Sequence, residues 1–590
     1  MRGYRAFEQD CGPYYPNIKP SLAVHRVYTP KSDPVSRYPP IAASLGCHVV
    51  GAVPPISSHD PISAGSGAIK RIGTEPGKLP RKIKRKFGRF VRLFLKRWIP
   101  KIQKCDDVTF ETWVMNAPYS LSRKEELISV WKENQHYLTG DYELNPKTKK
   151  HVLRVKNFIK WEFYEAYKHA RMINSRTDFF KCLVGPIFKM ISTNVFGLKY
   201  PGKNYGPLIK NVPVAERPLA LYDLLYTAGG DYQVTDYSSF EAHFTAELME
   251  ICEFQLYGWS VSELPSGDAF MGLVRESMAK TNTIANKYFK MSITATRMSG
   301  EMNTSLGNGF SNLMIALFLS NQAHLRNGFK GTMESWIDEY HIHARGAVEG
   351  DDGLFSFNED AKPTTSDFTE FGAIIKLENV EQIAEASFCG NVFDTVDMVQ
   401  ITDPAPIIAA IGWTSQKYLF AKTSTKNALL RCKANSFLHQ YPGCPIVQEL
   451  ALWLLRVVPL DEKRENTMIE QMDQWNQEQA LQAKKATLIP KSVPIRTRHL
   501  VEKLYNIPID EQVVIERWFA RQSKLCPIDC PTVLKNMPDT WKEMYSKHVM
   551  QYYDDHSISS LNEKELARLY VEKMSKFVPS MEKLAELVVD

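Results

Sequence analysis

The sequence predicts a mixed α+β protein built from several parts, and three observations carry that reading. Residues 231–400 alternate strand-like and helix-like segments. From about residue 401 the pattern is mostly helical, broken at Pro442, Pro445, Pro459, Pro490, Pro494 and Pro508. Residues 346–357, GAVEGDDGLFSF, put two adjacent acids on a Gly-flanked turn between strand-like runs. A chain of 590 residues exceeds what one core supports, so roughly two to four domains are expected.

From the N-terminus, residues 1–68 are rich in Pro, Ser, Gly and Tyr and show no sustained periodicity. They predict an irregular, partly disordered extension, or a strip lining a larger body. MRGYRAFEQDCGPYYP has no apolar core and is not a secretory signal, and Met1 allows an independent start. Ten cysteines without a regular framework suggest free thiols in a reducing compartment. No uninterrupted apolar run reaches the ~18 residues of a membrane span.

Residues 69–104 form a basic amphipathic stretch. Between Lys70 and Lys104 fourteen Lys and Arg face one acid, Glu75, and are interleaved with Ile83, Phe87, Phe90, Val91, Leu93, Phe94, Leu95 and Trp98. The stretch predicts a helix after Pro80. Such a helix can meet nucleic-acid phosphates, lie on an anionic membrane through residues 81–98, or pack its apolar face inside the protein. Residues 105–230 mix helical periodicity with basic clusters. The polar segment 461–487 predicts an exposed helix.

Asp352-Gly353 is a hairpin-turn signal, and a hairpin tip carrying Asp351 and Asp352 suits divalent metal. Mg²⁺ takes oxygen ligands, often one or two carboxylates plus substrate phosphates. An ordinary solvated turn has the same letters. Upstream, DYQVTDYSSFEAHF at 231–244 predicts a strand ending near Asp236, then a helix with Phe244, Leu248 and Ile251 on one face. A strand-end acid beside a hairpin-tip pair is what two-metal phosphoryl or nucleotidyl transfer requires. Asp236 and Asp351 are the main predicted ligands and Asp352 assists. Read alone, Asp236 also fits a strand-end cap.

RMSGEMNTSLGNGFSN at 297–312 predicts a Ser-Gly turn entering a helix whose Leu306, Phe310, Leu313 and Leu317 share one face. Ser299, Gly300, Thr304 and Asn308 gather at its entrance, where close backbone approach and adaptable hydrogen bonds could read ribose hydroxyls. A loop with a capped core helix is the other reading. His341 and His343 are expected on one face of the strand leading to the hairpin, packed and not metal-bound. Cys526 and Cys530 have zinc-ligand spacing but no second Cys or His pair at a convincing distance.

In this order the three segments resemble motifs A, B and C of a viral RNA-dependent RNA polymerase. The wording is closest to enzymes of positive-strand RNA viruses of the tombusvirus and nodavirus type. The resemblance implies a right hand of fingers, palm and thumb, with an antiparallel palm sheet backed by helices and a mostly helical thumb. Its motifs cover roughly residues 150–400, which gives fingers at 105–230 and palm at 231–400 with an inserted fingers segment at about 255–290; position and helical pattern alone make 401–590 the thumb and C-terminal region. Asp236, Asp351 and Asp352 would be catalytic acids holding Mg²⁺, for which Mn²⁺ can substitute.

Glu241 stands where the family usually has Asp and would bear, with Ser299, Gly300, Thr304 and Asn308, on the ribose. FGAIIKLE at 371–378 resembles motif D, which makes Lys376 the proton donor to pyrophosphate. Without the family context Lys376 is equally a surface lysine at a strand edge. FCGNVFD at 388–394 resembles motif E, with Phe388, Cys389 and Gly390 supporting the end of the growing strand. KNFIKWEFYEAYKHARMI resembles motif F, with Lys160, Glu162, Lys168, Arg171 and Arg176 roofing the triphosphate; a basic exposed helix is the alternative. The implied partners are template and nascent RNA, ribonucleoside triphosphates, other viral replication proteins and a membrane surface, in replication complexes of the host cytoplasm. A reverse transcriptase and a noncatalytic RNA-binding subunit are the competing functions. Against the first, Gly350 precedes the acid pair where such enzymes carry an aromatic residue.

Overall fold

A computed structural model describes residues 17–27, 42–54, 56, 61–164, 169–225, 231–472 and 474–548. Nine strands build its two larger sheets: β1 (Ala23–Val27), β2 (Val155–Ile159), β3 (Met172–Arg176), β4 (Tyr232–Tyr237), β5 (Thr281–Ala285), β6 (Phe289–Thr294), β7 (Ala344–Glu349), β8 (Asp352–Phe357) and β9 (Ile375–Val380). Four helices matter most below: α1 (Arg81–Trp98), α2 (Asp178–Phe196), α3 (Thr304–Arg326) and α4 (Thr423–Gln440). The fold is mixed α+β.

The sheet that carries the acids is antiparallel throughout, in the order β7-β8-β4-β9. Its inner strands read YQVTDY and DGLFSF, rich in aromatic and β-branched residues that suit a buried pleat. α3 packs on it. The sequence predicts one apolar face for this helix, but Leu306 to Asn321 are all buried, polar Asn308, Ser311, Asn312, Ser320 and Asn321 included. α3 is a central core helix, and its polar residues serve neighbouring backbone; Ser320, for example, donates to Ala361 O at 2.7 Å.

The second sheet has the order β1-β6-β5-β2-β3 and is antiparallel except for the β2–β5 pair. It unites three distant segments, including the strands of the 255–290 region and a strand from the first thirty residues.

α1 begins directly after Pro80, in agreement with the sequence. Phe87, Phe90, Val91, Phe94 and Leu95 follow the i, i+3, i+4 spacing of one helix face and are all buried. Their partners are rings of the core: Phe318 and Phe371 around Phe87, Trp336 beside Phe90, and Tyr340 edge-on to Phe94 at 5.4 Å. Burying five such side chains contributes about 1.5–3 kcal/mol each, far more than the exposed pairs Arg89–Glu334 and Arg97–Asp338 on the rim. The apolar face that insertion into a bilayer would use is therefore occupied, and the outward face of α1 is basic.

Among the described residues α2 is the one helix long and apolar enough to cross a membrane, and most of it is buried in the core.

The described parts of residues 1–68 are a lining strip. β1 joins the second sheet. Ala42–Ser44 pairs with Trp413–Ser415, and Leu45, Cys47, Val49 and Ala52 enter the core of the C-terminal helices. The polar segment 461–487 does not form one exposed helix. It folds as Glu462–Glu470 and Gln474–Lys485, with Met468, Ile469, Ala480 and Ala483 buried, and both helices pack on α4. Apolar residues too sparse to give a periodic signal suffice for that contact. The nine cysteines among the described residues are free.

Candidate active site

The site is built on the β7–β8 hairpin. Glu349 pairs with Asp352, so the two-residue loop is Gly350-Asp351. The sequence signal puts the turn at Asp352-Gly353, two residues too late. Gly350 takes φ 66°, which suits the first central position of a type II′ turn. Gly353 lies within the strand because a Cβ there would stand 2.5 Å from Thr235 Oγ1 and from the Phe355 ring. The hairpin tip thus carries Asp351, and Asp352 opens the second strand.

β4 lies beside β8, with Gly353 opposite Thr235. One step further in that register Asp352 faces Asp236, and directly opposed residues on one sheet face are neighbours. On its other side β4 pairs with β9, and Lys376 stands opposite Asp236. The short helix Phe240–His243 follows β4 and buries Glu241. The single helix expected there is broken at Phe244-Thr245, and Thr245 caps a second one, Ala246–Ile251.

Other groups hold the tip in place. Asn312 of α3 donates through Nδ2 to Asp351 O at 2.9 Å and Gly350 O at 3.3 Å. Glu349 is neutralised by Arg217 at 2.7 Å and Lys210 at 3.3 Å. Asn312, Arg217 and Lys210 were not among the predicted site residues. Asn312 is visible only as one more polar residue on an otherwise apolar helix.

The electrostatics show how tightly the acids gather. Burial, then the charges of Asp351, Asp236 and Glu349, push the Asp352 carboxyl up to about 7. Asp351 keeps solvent access, yet surrounding protein pushes its carboxyl up as well. Glu241 adds to that shift, while Arg71 and Arg171 oppose it. Among the described residues no group of three or more His, Cys, Asp or Glu is gathered closely enough to hold a metal ion by itself. An open set of acids with unfavourable mutual charge suits a hard cation that completes its shell with water and substrate oxygen.

A thermal prediction follows. An unfolded Asp titrates near 3.9. Between about pH 4 and about 7, folded Asp352 keeps a proton that the unfolded chain has released, so this site makes the protein less stable as pH rises through that window. A divalent ion needs the ionised acid and reverses the effect. Millimolar Mg²⁺ or Mn²⁺ is therefore expected to raise Tm more at pH 8 than at pH 6, and Asp352→Asn should flatten that difference in thermal scans.

The remaining predicted residues divide by their contacts. Ser299 donates to Met172 O at 3.1 Å and accepts from Asn174 N at 3.3 Å. Gly300 N donates to Asn174 O at 2.8 Å, and a Cβ on Gly300 would meet that oxygen at 2.9 Å. Both residues dock the α3 entrance on β3. Thr304 Oγ1 donates to Met298 O. Asn308 is buried, and its Oδ1 accepts from Arg297 Nε at 3.0 Å.

β2 and β3 form an antiparallel pair, not an exposed basic helix, with Lys160 N bonded to Arg171 O at 2.8 Å where they part. Lys160 and Arg171 are partly exposed around Glu162. Lys168 lies outside the described residues. Arg176 does not belong to such a roof: it is buried, paired with Glu301 at 2.6 Å, and bonded to Leu153 O, Asn282 Oδ1 and Ser277 O. All three of its guanidinium nitrogens are bonded within the fold.

Phe388 is buried, and Cys389-Gly390, with φ 54° and 72°, form the tight turn between Phe388 and Asn391. Cys389 Sγ is 3.8 Å from Glu349 Oε2, beside the acidic hairpin. His341 and His343 are on the short helix Tyr340–His343, not on a strand. His343 stacks on Trp336. No family model matches the chain, and no curated protein matches it.

Proposed function

We propose that this protein is a template-directed RNA polymerase that adds ribonucleoside monophosphates to an RNA 3′ end and releases pyrophosphate. The observation that carries the reading is the meeting of Asp236 with the adjacent Asp351 and Asp352, more than a hundred residues further along the chain, at one sheet end with Lys376 on the neighbouring strand. In this reading the four-stranded sheet is the palm, the five-stranded sheet belongs to the fingers, and the C-terminal helices are the thumb.

The acids would hold two divalent ions, which when bound activate the attacking 3′-oxygen and stabilise the leaving oxygen. Asp236 and Asp351 orient that centre, and Asn312 fixes the backbone that carries Asp351. Lys160 and Arg171 offset triphosphate charge. Lys376 supplies a proton to the departing pyrophosphate. Glu241 and Asn308 bear on the ribose, and the Cys389-Gly390 turn supports the product strand. A viral role in cytoplasmic, membrane-associated replication complexes with other replication proteins belongs to the same proposal, with the outward basic face of α1 as the membrane-facing surface.

The test is primer extension on defined RNA templates with Mg²⁺ or Mn²⁺. Product sequence should follow the template, and ribonucleotides should be used in strong preference to deoxyribonucleotides. Preferential deoxyribonucleotide use would make it a reverse transcriptase. RNA binding with no incorporation of either sugar on any template would make it a noncatalytic subunit.

A further inference from the structure

Arg71 belongs to none of the segments above that carry the chemistry. It lies in Ile69–Gly73, a π-helical turn between helix Pro61–Ala68 and the linker to α1; such turns are frequent at functional sites. Its NH2 donates to Glu241 Oε1 at 2.7 Å, across 170 residues of sequence. The Glu241 side chain is only 9% exposed and that of Arg71 23%. Each member also keeps a buried polar atom that no group among the described residues satisfies, Oε2 of Glu241 and Nε of Arg71. Leaving such atoms unpaired is costly, as expected of a pair that completes its bonding with a substrate.

The pair is also well placed. Glu241 stands on the short helix Phe240–His243, which directly follows the strand that carries Asp236. The backbones of the pair are tied together by Thr296, whose hydroxyl reaches Glu241 O at 3.0 Å and Ile72 O at 3.4 Å. Glu241 is one methylene longer than the Asp its position resembles. That extra length needs a partner to fix it, since an unrestrained Glu samples more rotamers.

We propose that Arg71 is a positioning residue for sugar selection: it holds the Glu241 carboxylate so that Oε2 accepts from the 2′-hydroxyl of an incoming ribonucleotide. A carboxylate only accepts. A 2′-deoxy sugar offers it no donor and leaves Oε2 buried and unpaired, which is how a polar site rejects an analogue lacking a hydroxyl. This inference rests on the polymerase reading and adds that the segment before α1 completes the nucleotide site.

The experiment compares kcat/KM for a ribonucleoside triphosphate and its 2′-deoxy analogue in wild type, Arg71→Gln, Glu241→Asp and the double variant. Circular dichroism and thermal scans accompany each. Either single change should narrow the ribose preference by about 10- to 100-fold. The double variant should be no worse than the singles, because both break one contact. Arg71→Lys should retain most of the preference. If Arg71→Gln does not fold, Glu241→Asp, which keeps both charges, still decides. A folded single variant that discriminates as wild type does, or that loses both sugars equally, overturns the proposal. Wild-type protein that incorporates neither sugar would instead remove the polymerase reading itself.

Discussion

Replacing Asp351 and Asp352 together by Asn is expected to lower ribonucleotide incorporation by at least ~10³-fold while RNA affinity changes little. Divalent ions contribute several kcal/mol of charge stabilisation in phosphoryl transfer, and each ~1.4 kcal/mol is a factor of ten in rate. The amides cannot supply the anionic charge that would recruit Mg²⁺ in this reading. Asn is close to Asp in volume, and it removes the buried charge and the repulsion that together push Asp352 up to about 7. The double variant should therefore be at least as stable as wild type without metal. On the polymerase reading RNA affinity would rest on basic groups facing phosphates, which these changes leave in place. Single-turnover incorporation and filter binding on the same template separate the two quantities.

The largest effect on stability is expected at Arg297. Its side chain and that of Glu253 are both fully buried, with NH2 2.5 Å from Oε2. The guanidinium lies 4.2 Å from the Phe244 ring centroid and donates to Asn308. Tyr257 OH donates to the same Glu253 oxygen at 2.8 Å and accepts from Asn303. Arg297→Met strands the Glu253 charge and should cost about 3–5 kcal/mol. Arg297→Met with Glu253→Gln should recover much of that loss in urea denaturation, because no lone charge remains buried. Asn308 would still lose the donor that fixes its amide, so the recovered variant should bind ribonucleotides less tightly than wild type.

These two sites also show what a sequence of this kind reveals. Asp351 and Asp352 are legible as acids on a hairpin and Asp236 as a strand-end acid; each alone also fits a solvated turn or a cap, and only their order with the 297–312 segment sets them apart. The turn was misplaced because Asp-Gly and Gly-Asp are both turn letters. What separates them is that Gly350 takes φ 66° at the turn, while Gly353 lies in the strand where Thr235 and Phe355 leave no room for a Cβ, and both are tertiary facts. Arg176 and Arg171 look alike in a basic segment, yet one is buried against Glu301 and the other is partly exposed. Local spacing holds no trace of that difference. Arg71 was readable only as one cation among fourteen. Its pairing with Glu241 depends on how the N-terminal strip lies over the sheets, which no periodicity encodes. α1, by contrast, was fully marked by Pro80 and its apolar stripe; the unread part was that the stripe faces Phe318, Trp336, Tyr340 and Phe371.

The central claim is that Asp236, Asp351 and Asp352 together hold divalent ions against a ribonucleoside triphosphate. Anomalous diffraction from crystals soaked with Mn²⁺ and a nonhydrolysable ribonucleotide analogue tests it most directly. The account predicts manganese within about 2.0–2.3 Å of oxygens from Asp236 and Asp351 and of the analogue's phosphates, with the ribose beside Glu241. Manganese and nucleotide bound elsewhere, or a fully loaded crystal with these acids unliganded, would contradict it.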